Sequence, residues 1–336
     1  NIVLPANMVT ALDNKNNVIP AISADIVYAR CTLSQITVNE GGNYVAENNI
    51  LYLTEEGVKK EIIFAAKKIS GEVVIPYTVS DIWKGAFACC ELITSVKFEA
   101  TPEGQTEVPL RISCAPENVV SGAFAATAFT LIELPSRTVT LGNMAFNASA
   151  LTSIKIPGAV RDDGELLGIG GACFWQSKNL ASVEFEEGAE GKTLSIGDTA
   201  FADTAITSLT LPVGTVSIGN SAFYECASLV TVNIPDSIKE IKQYAFRNCV
   251  ALSSVNFAEG THLNLLGSSS FNGCTSLTEF KLPKSEDVRP LFGSSSAVKK
   301  LTLTKGARLN DGALVGLTSC EESVVEEGNT SYVAEN

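Results

Sequence analysis

The stretch Ser217 to Pro235, SIGNSAFYECASLVTVNIP, is followed by Glu240 to Phe257, EIKQYAFRNCVALSSVNF, and then by Leu265 to Pro283, LLGSSSFNGCTSLTEFKLP. Three near-copies in tandem mark a repeat protein, because self-similarity at a short fixed period means units that bury their apolar sides by stacking. The aromatic after Ala serves as a marker and recurs at Phe87, Phe124, Phe146, Phe174, Phe201, Phe223, Phe246 and Phe271, with Tyr28, Phe292 and Leu314 as degenerate members. Marker spacings are 22 (Phe124 to Phe146, Phe201 to Phe223), 23 (Phe223 to Phe246), 25 (Phe246 to Phe271), and 27 or 28 around Phe174. Gaps of 37 residues before Phe124 and 59 before Phe87 read as insertions into one stack.

After each marker comes a pattern L-x-x-V-x-I: Leu92, Val96, Phe98; Leu151, Ile154, Ile156; Leu180, Val183, Phe185; Leu229, Val232, Ile234; Leu252, Val255, Phe257; Leu277, Phe280, Leu282. Its last two positions alternate, as in a strand with one buried face. A proline often follows (Pro135, Pro157, Pro212, Pro235, Pro283) and ends the strand, since it has no N–H to give a ladder. A second apolar pair, such as Val216 with Ile218, precedes the next marker. Gly142-Asn143, Gly197-Asp198 and Gly219-Asn220 put a capping side chain ahead of the marker, and the Ala-Phe-x-x-Cys segment reads as one short helical turn with Phe and Cys on one face. The expectation is an α/β repeat solenoid: a right-handed leucine-rich-repeat coil with a parallel sheet of short strands on one face and short helical turns or loops on the other. About eleven coils at ~4.8 Å each make a curved rod of about 50 Å.

The residues L-x-x-V-x-I-P … I-G-x-x-A-F-x-x-C-x-S-L resemble the BspA-like class of leucine-rich repeats, found in surface proteins of gut and oral bacteria and in some protozoa. The segment Ile36 to Gly57, ITVNEGGNYVAENNILYLTEEG, is similar to the hairpin module that this family inserts between repeats. Read alone, Ile50 to Leu53, the turn Thr54 to Gly57 and Lys60 to Phe64 form a hairpin. The organisation expected is a single solenoid over residues 1–336, with a β-hairpin module inserted at about 39–70 and a loop at about 99–118. The resemblance implies a secreted or cell-surface bacterial protein that binds or adheres to proteins or other surface macromolecules. A spacer that displays another domain is the alternative.

The end of the chain, VVEEGNTSYVAEN (Val324 to Asn336), echoes ITVNEGGNYVAEN (Ile36 to Asn48), and IVLP (Ile2 to Pro5) looks like the tail of a repeat. Solenoids need polar caps, so the natural chain is expected to extend beyond one or both termini. It opens at Asn1 instead of Met, which leaves any export signal out of view.

Composition narrows the partners. Lys and Arg number 24 against 37 Asp and Glu, a net charge of −13, which argues against nucleic acid and anionic membrane as partners. No run approaches the ~18 apolar residues that a membrane helix needs. With 45% apolar residues, the chain has a sizeable core to build.

The residues with chemistry are mostly explained by the repeat. Cys90, Cys226, Cys249 and Cys274 share one position, which Thr127, Ser177 and Thr204 fill in other coils, so a small buried side chain is what the position requires. Parallel side-chain directions argue against disulfides within that column, and Cys114 and Cys320 fall in irregular segments. His262, the only histidine, lies in the EGTHLNLL stretch, read as a loop between repeats, where a catalytic role has little support. Asp162-Asp163-Gly164-Glu165 lacks the acidic spacing of a calcium loop and reads as a surface turn, like the pairs Glu186-Glu187 and Glu326-Glu327. No phosphate-binding glycine loop or nucleophile elbow is found. Thus no enzyme activity, cofactor or metal is expected. Trp83 and Trp175, beside the markers, read as packing residues on the convex side.

What remains is the outward row of each strand: Ser95/Lys97, Leu131/Glu133, Ser153/Lys155, Ser182/Glu184, Ser208/Thr210, Thr231/Asn233, Ser254/Asn256, Glu279/Lys281 and Lys300/Thr302. The candidate binding residues are Lys97, Glu133, Lys155, Glu184, Thr210, Asn233, Asn256, Lys281 and Thr302. The row is polar, small and without aromatics, so it suits a protein partner better than a stacked sugar.

Overall fold

The alternation that marks Thr231–Ile234 as a strand becomes a parallel ladder with Ser254–Phe257 on one side and Ser208–Thr210 on the other, with Val232 opposite both Leu209 and Val255. This computed structural model describes residues 34–38, 42–113, 121–164, 166–293, 296–310 and 312–326, together with the backbone of Ile2–Leu4, Ala11–Leu12 and Val18–Ile19. Tyr28, Cys31, Cys114, the tail of the 99–118 insertion, Glu165, Glu327 and the second Tyr-Val-Ala-Glu-Asn copy lie outside the described residues.

The single sheet expected is in fact two, because the second apolar pair of each coil also forms a strand. The first sheet carries the L-x-x-V-x-I strands and runs in blocks: Gly71–Ile75 with Ile93–Phe98, Ser153–Ile156 with Ser182–Phe185, the Ser208–Phe257 trio, and Glu279–Leu282 with Lys300–Leu303 and Glu322–Val325. The second sheet is continuous across the coils. Asp81–Ile82, Leu110–Ile112 and Thr138–Leu141 are joined through bridges at Ile169 to Leu194–Ile196, Thr215–Ile218, Glu240–Ile241, Leu265–Leu266, Lys284–Val288 and Ala307–Leu309.

The helical turns are not there: among the described residues no helix forms, and the fold is a β-solenoid instead of an α/β one. The cause is local and repeated. Residues two before and two after the marker sit in the left-handed region, as with Met144 (φ 59°) and Ala148 (φ 51°) around Phe146, and Ser221 (φ 54°) and Glu225 (φ 59°) around Phe223. A right-handed helix cannot pass through such residues, each of which costs about 1–2 kcal/mol. The gain lies between coils. The N–H groups of Ser221, Phe223 and Glu225 donate to the carbonyls of Gln243, Ala245 and Arg247 in the next coil at 2.9, 2.8 and 2.9 Å. Intervening amides stay within the turn, as Tyr224 N–H does to Ser221 O at 3.0 Å.

With no helix to cap, the Gly-Asn and Gly-Asp pairs have another task. Asp198 Oδ1 accepts the Asn220 N–H at 2.7 Å, and Asn143 Oδ1 accepts the Gly171 N–H at 2.7 Å, so these side chains tie each coil to the next. The glycine allows that approach: a Cβ on Gly219 would lie 2.6 Å from the Gly197 carbonyl carbon.

Inside, the markers form a column of rings. Neighbouring rings from Phe87 to Phe271 stack with centroids 5.0–5.5 Å apart and planes within 12° of parallel. Phe292 stays buried and in register but leaves the stack, 6.5 Å from Phe271 and tilted by 33°. One assignment moves by a residue: Leu92 is 55% exposed, and Ile93, three residues after Cys90, fills the leucine column. Trp175 is also corrected, being 38% exposed, because the residue after an inward marker points out.

At the amino side the expected hairpin is a three-stranded antiparallel meander. Tyr44–Glu47 pairs with Ile50–Glu55 through Asn48-Asn49, both at positive φ, and Ile50–Glu55 pairs with Val58–Ala65 through Glu56-Gly57, also both positive. Such turns match the twist of paired strands. Val58–Ala65 then joins the second sheet beside Asp81–Ile82, so the module grows out of the solenoid's own ladder. Under it Ile36, Tyr44, Leu51, Ile63, Phe64 and Trp83 make a separate small core.

Candidate functional site: the outer row of the first sheet

Of the residues expected to form the row, Lys97, Glu133, Lys155, Glu184, Thr210, Asn233, Asn256 and Lys281 are exposed, and Thr302 is half-buried. The ladders bring Lys155 opposite Glu184, Thr210 opposite Asn233, Asn233 opposite Asn256, and Lys281 opposite Thr302. Glu133 is the exception. Residues 131–135 form no strand, although Leu-Ile-Glu-Leu alternates as well as any other coil does.

Three lysines of the row are already matched. Lys97 Nζ lies 2.8 Å from Glu72, Lys155 Nζ 2.8 Å from Glu186, and Lys281 Nζ 2.9 Å from Glu326. Hydrogen bonds to these ammonium groups hold the carboxyls of Glu72, Glu186 and Glu326 below their ordinary range, and raise the Lys97 and Lys155 ammonium groups above theirs. Between the charged ends runs an amide ladder: Asn256 Nδ2 donates to Asn233 Oδ1 and Asn233 Nδ2 to Thr210 Oγ1, each at 2.9 Å. The centre of the row is therefore neutral, ordered and polar.

Two clefts open where the first sheet breaks. One, of about 750 Å³, lies between Ser95–Thr101 and Leu131–Arg137; the other, of about 680 Å³, lies between Val255–Thr261 and Lys281–Lys284. In the first, Arg137 forms part of the wall, almost fully buried, and donates through one terminal nitrogen to Val79 O at 2.8 Å and Val108 O at 2.9 Å. Burial lowers its pKa, with Glu107 acting the other way. Neither Arg137 nor the exposed Leu131 beside it stood out in the sequence. The one signal was the 37-residue gap between Phe87 and Phe124, which places an insertion at this coil.

The other candidates settle into structural roles. The thiols of Cys226, Cys249 and Cys274 donate to the Phe201, Phe223 and Phe246 carbonyls of the preceding coil at 3.1, 3.1 and 3.2 Å, while the Thr204 and Thr127 hydroxyls donate within their own coils, to Phe201 O and Phe124 O at 2.8 Å. Burial pushes Cys226 up to about 11, Cys274 up to about 12 and Cys249 well above the ordinary thiol value, which makes them poor nucleophiles. No disulfide joins the described cysteines to one another. His262 sits in the short strand His262–Leu263, not in a loop, with Nε2 2.8 Å from Glu286 Oε1 in a surface network that also takes in Arg308. Asp162 serves the backbone: it accepts N–H groups from Gly168 (2.8 Å) and Ser195 (2.9 Å) and the Ser195 hydroxyl (2.7 Å). Among the described residues no group of three or more His, Cys, Asp or Glu is placed to hold a metal, and no helix is long and apolar enough to cross a membrane.

Stacked coils with an Ala-Phe-x-x-Cys turn, an inner ring column and an outer polar row define a leucine-rich-repeat β-solenoid. The chain belongs to the BspA-type leucine-rich repeat family, whose repeat region matches residues 110–191 and 194–310 in six copies. No curated protein sequence matches it. Among solved structures it is similar to a leucine-rich cell surface protein from Faecalibacterium prausnitzii (17% identity over 85% of this chain and 96% of that chain, TM-score 0.41). It is also similar to a leucine-rich repeat protein from Eubacterium ventriosum (17%, 91% and 77%, TM-score 0.43) and to one from T. pallidum (19%, 65% and 82%, TM-score 0.39).

Proposed function

We propose that residues 1–336 form one solenoid that acts as the non-catalytic binding region of a secreted or cell-surface bacterial protein and recognises a protein or other surface macromolecule. The observation that carries this is the ordered outer row itself: exposed side chains held in fixed register on a rigid stack, from Lys155 and Glu184 through the Thr210–Asn233–Asn256 ladder to Lys281 and Thr302. A pre-arranged polar surface of this kind loses little entropy on association. Because its lysines are neutralised, it recognises by hydrogen bonding and shape more than by net charge, and neither nucleic acid nor membrane insertion fits it.

The spacer reading is favoured by the same ion pairs, since a row that satisfies itself needs no partner. Binding of the purified chain to immobilised host-surface and bacterial-surface proteins separates the two. The double variant Lys155→Glu, Lys281→Glu reverses the row's charge at exposed ion pairs, where attraction lost and repulsion gained are each about 0–1 kcal/mol, so the fold stays intact. Micromolar binding that falls at least about tenfold in the variant supports the row as the site. No binding at micromolar levels, with binding recovered in a longer chain, supports the spacer.

A further inference from the structure

The cleft beside Ile93–Phe98 has the chemistry of a missing strand. Glu99 N–H donates to Ile75 O at 2.9 Å, which turns the backbone groups of Ser95, Lys97 and Glu99 towards Gly71–Ile75. Alternate residues of a strand present their N–H and C=O to opposite edges, so those of Val96 and Phe98 face the cleft. No backbone hydrogen bond joins Ile93–Phe98 to residues 131–135 on the far bank. We infer that this cleft receives an extended segment of a protein partner, added as a strand to the open edge of Ile93–Phe98 and carrying alternating apolar and basic side chains.

The walls specify that segment. Inward-facing Val96, Phe98, Ile132 and Leu134 line the cleft, with Phe98 and Leu134 only half-buried, so apolar side chains on the inner face of an added strand complete their cover. On the outer face the strand would pass Leu131, which is 61% exposed, and Glu99 and Glu133 on opposite banks. Glu99, Glu107 and Glu133 form no ion pair among the described residues, whereas Lys97 is engaged by Glu72, which leaves the rim acidic. Two buried polar atoms of the wall, Arg137 Nε and Thr101 Oγ1, have no hydrogen-bond partner among the described residues. Arg137 also fixes the floor through its bonds to Val79 and Val108. Six residues of edge at ~3.3 Å each give a seat of about 20 Å. In the other cleft the rim carboxylate Glu326 is itself taken up by Lys281, which leaves less free acid there and makes it the weaker candidate.

This inference rests on the proposed reading of the chain as a binding module, and it is tested on the whole chain with three seven-residue peptides: Lys-Val-Lys-Val-Lys-Val-Lys, its Glu counterpart, and a version with Pro at the third position. Calorimetric titration and amide hydrogen exchange are read on the wild type and on Glu99→Lys, Glu133→Lys. The expected result is binding of the first peptide with slowed exchange at Val96 and Phe98, and affinities at least about tenfold weaker for the other two peptides and for the double variant. The inference is overturned by no binding of the first peptide up to about 1 mM, by equal or tighter binding of the Glu or Pro peptide, by protection located elsewhere, or by an unchanged affinity in the variant. Failure of the first peptide to bind, with a surface macromolecule still binding wild type and double variant equally, overturns the cleft alone and leaves the chain a binding module.

Discussion

Replacing Phe223 by Ala tests the ring column at its centre. The side chain is fully buried and stacks on Phe201 at 5.3 Å and on Phe246 at 5.2 Å, with planes 2° and 4° from parallel. Truncating a buried Phe costs about 3–5 kcal/mol in transfer and cavity terms. Two aromatic contacts worth about 0.5–1.5 kcal/mol each are lost with it, and neighbouring coils cannot collapse into the space because their backbones are already bonded at 2.8 Å above and below, through Phe201 to Ala222 and Phe223 to Ala245. The loss expected is therefore near the top of the range, about 5 kcal/mol. Phe292→Ala, at a ring that is buried but off the stack, is expected to cost about 3 kcal/mol. Urea unfolding followed by far-ultraviolet circular dichroism measures both, with the slope watched for a solenoid that separates into two units. A cost below about 2 kcal/mol for Phe223→Ala, or one no larger than for Phe292→Ala, would refute the column as the main internal support.

The buried thiols give a pH dependence. Their pKa values are raised in the folded state, so stability is full below about 9, the unfolded thiol value, and falls as pH rises towards about 11 for Cys226 and about 12 for Cys274. Urea midpoints between pH 7 and 10.5 should decline, and less steeply in Cys226→Ala; a flat profile contradicts the assignment. At pH 8 a thiol reagent should modify the partly exposed Cys89 and Cys320 well before Cys226, Cys249 or Cys274, as peptide mapping would show. Asp162→Ala removes a carboxylate that ties two segments together, and should cost about 2 kcal/mol and speed amide exchange at Gly168 and Ser195. Unchanged exchange at those two amides would mean that the turn holds itself.

The parts of the fold that are legible in sequence are the phenylalanine column, the strand alternation and the turn Thr54 to Gly57 of the meander; its Asn48-Asn49 turn is not. The turns around the markers are not legible. Left-handed residues usually announce themselves as glycine, but here Met144, Ala148, Gln176 and Tyr244 take that conformation, and Ala-Phe-x-x-Cys keeps the local look of a helix. What decides the matter is non-local, a set of hydrogen bonds from each coil to the next. The second sheet is hidden for a different reason: strands as short as Glu240–Ile241 are below any readable period, and the continuity of that sheet exists only across coils.

The same distinction governs the site. Which side chains point outward follows from alternation, and eight of the nine residues chosen on that basis are exposed. Their partners do not follow, because Glu186 and Glu326 lie beyond the strand pattern and reach the row only through folding. Once those pairs are in place, the charged residues that first draw the eye are the ones already satisfied. Residues 131–135 look like every other coil, yet they form no strand and leave the sheet open, and it is there that Glu99, Glu107 and Glu133 stand without an ion-pair partner among the described residues. A partner of this solenoid gains most where the repeat is broken: at the break it supplies hydrogen bonds and charges that the chain lacks, whereas along the regular row it must displace ones the chain has already made.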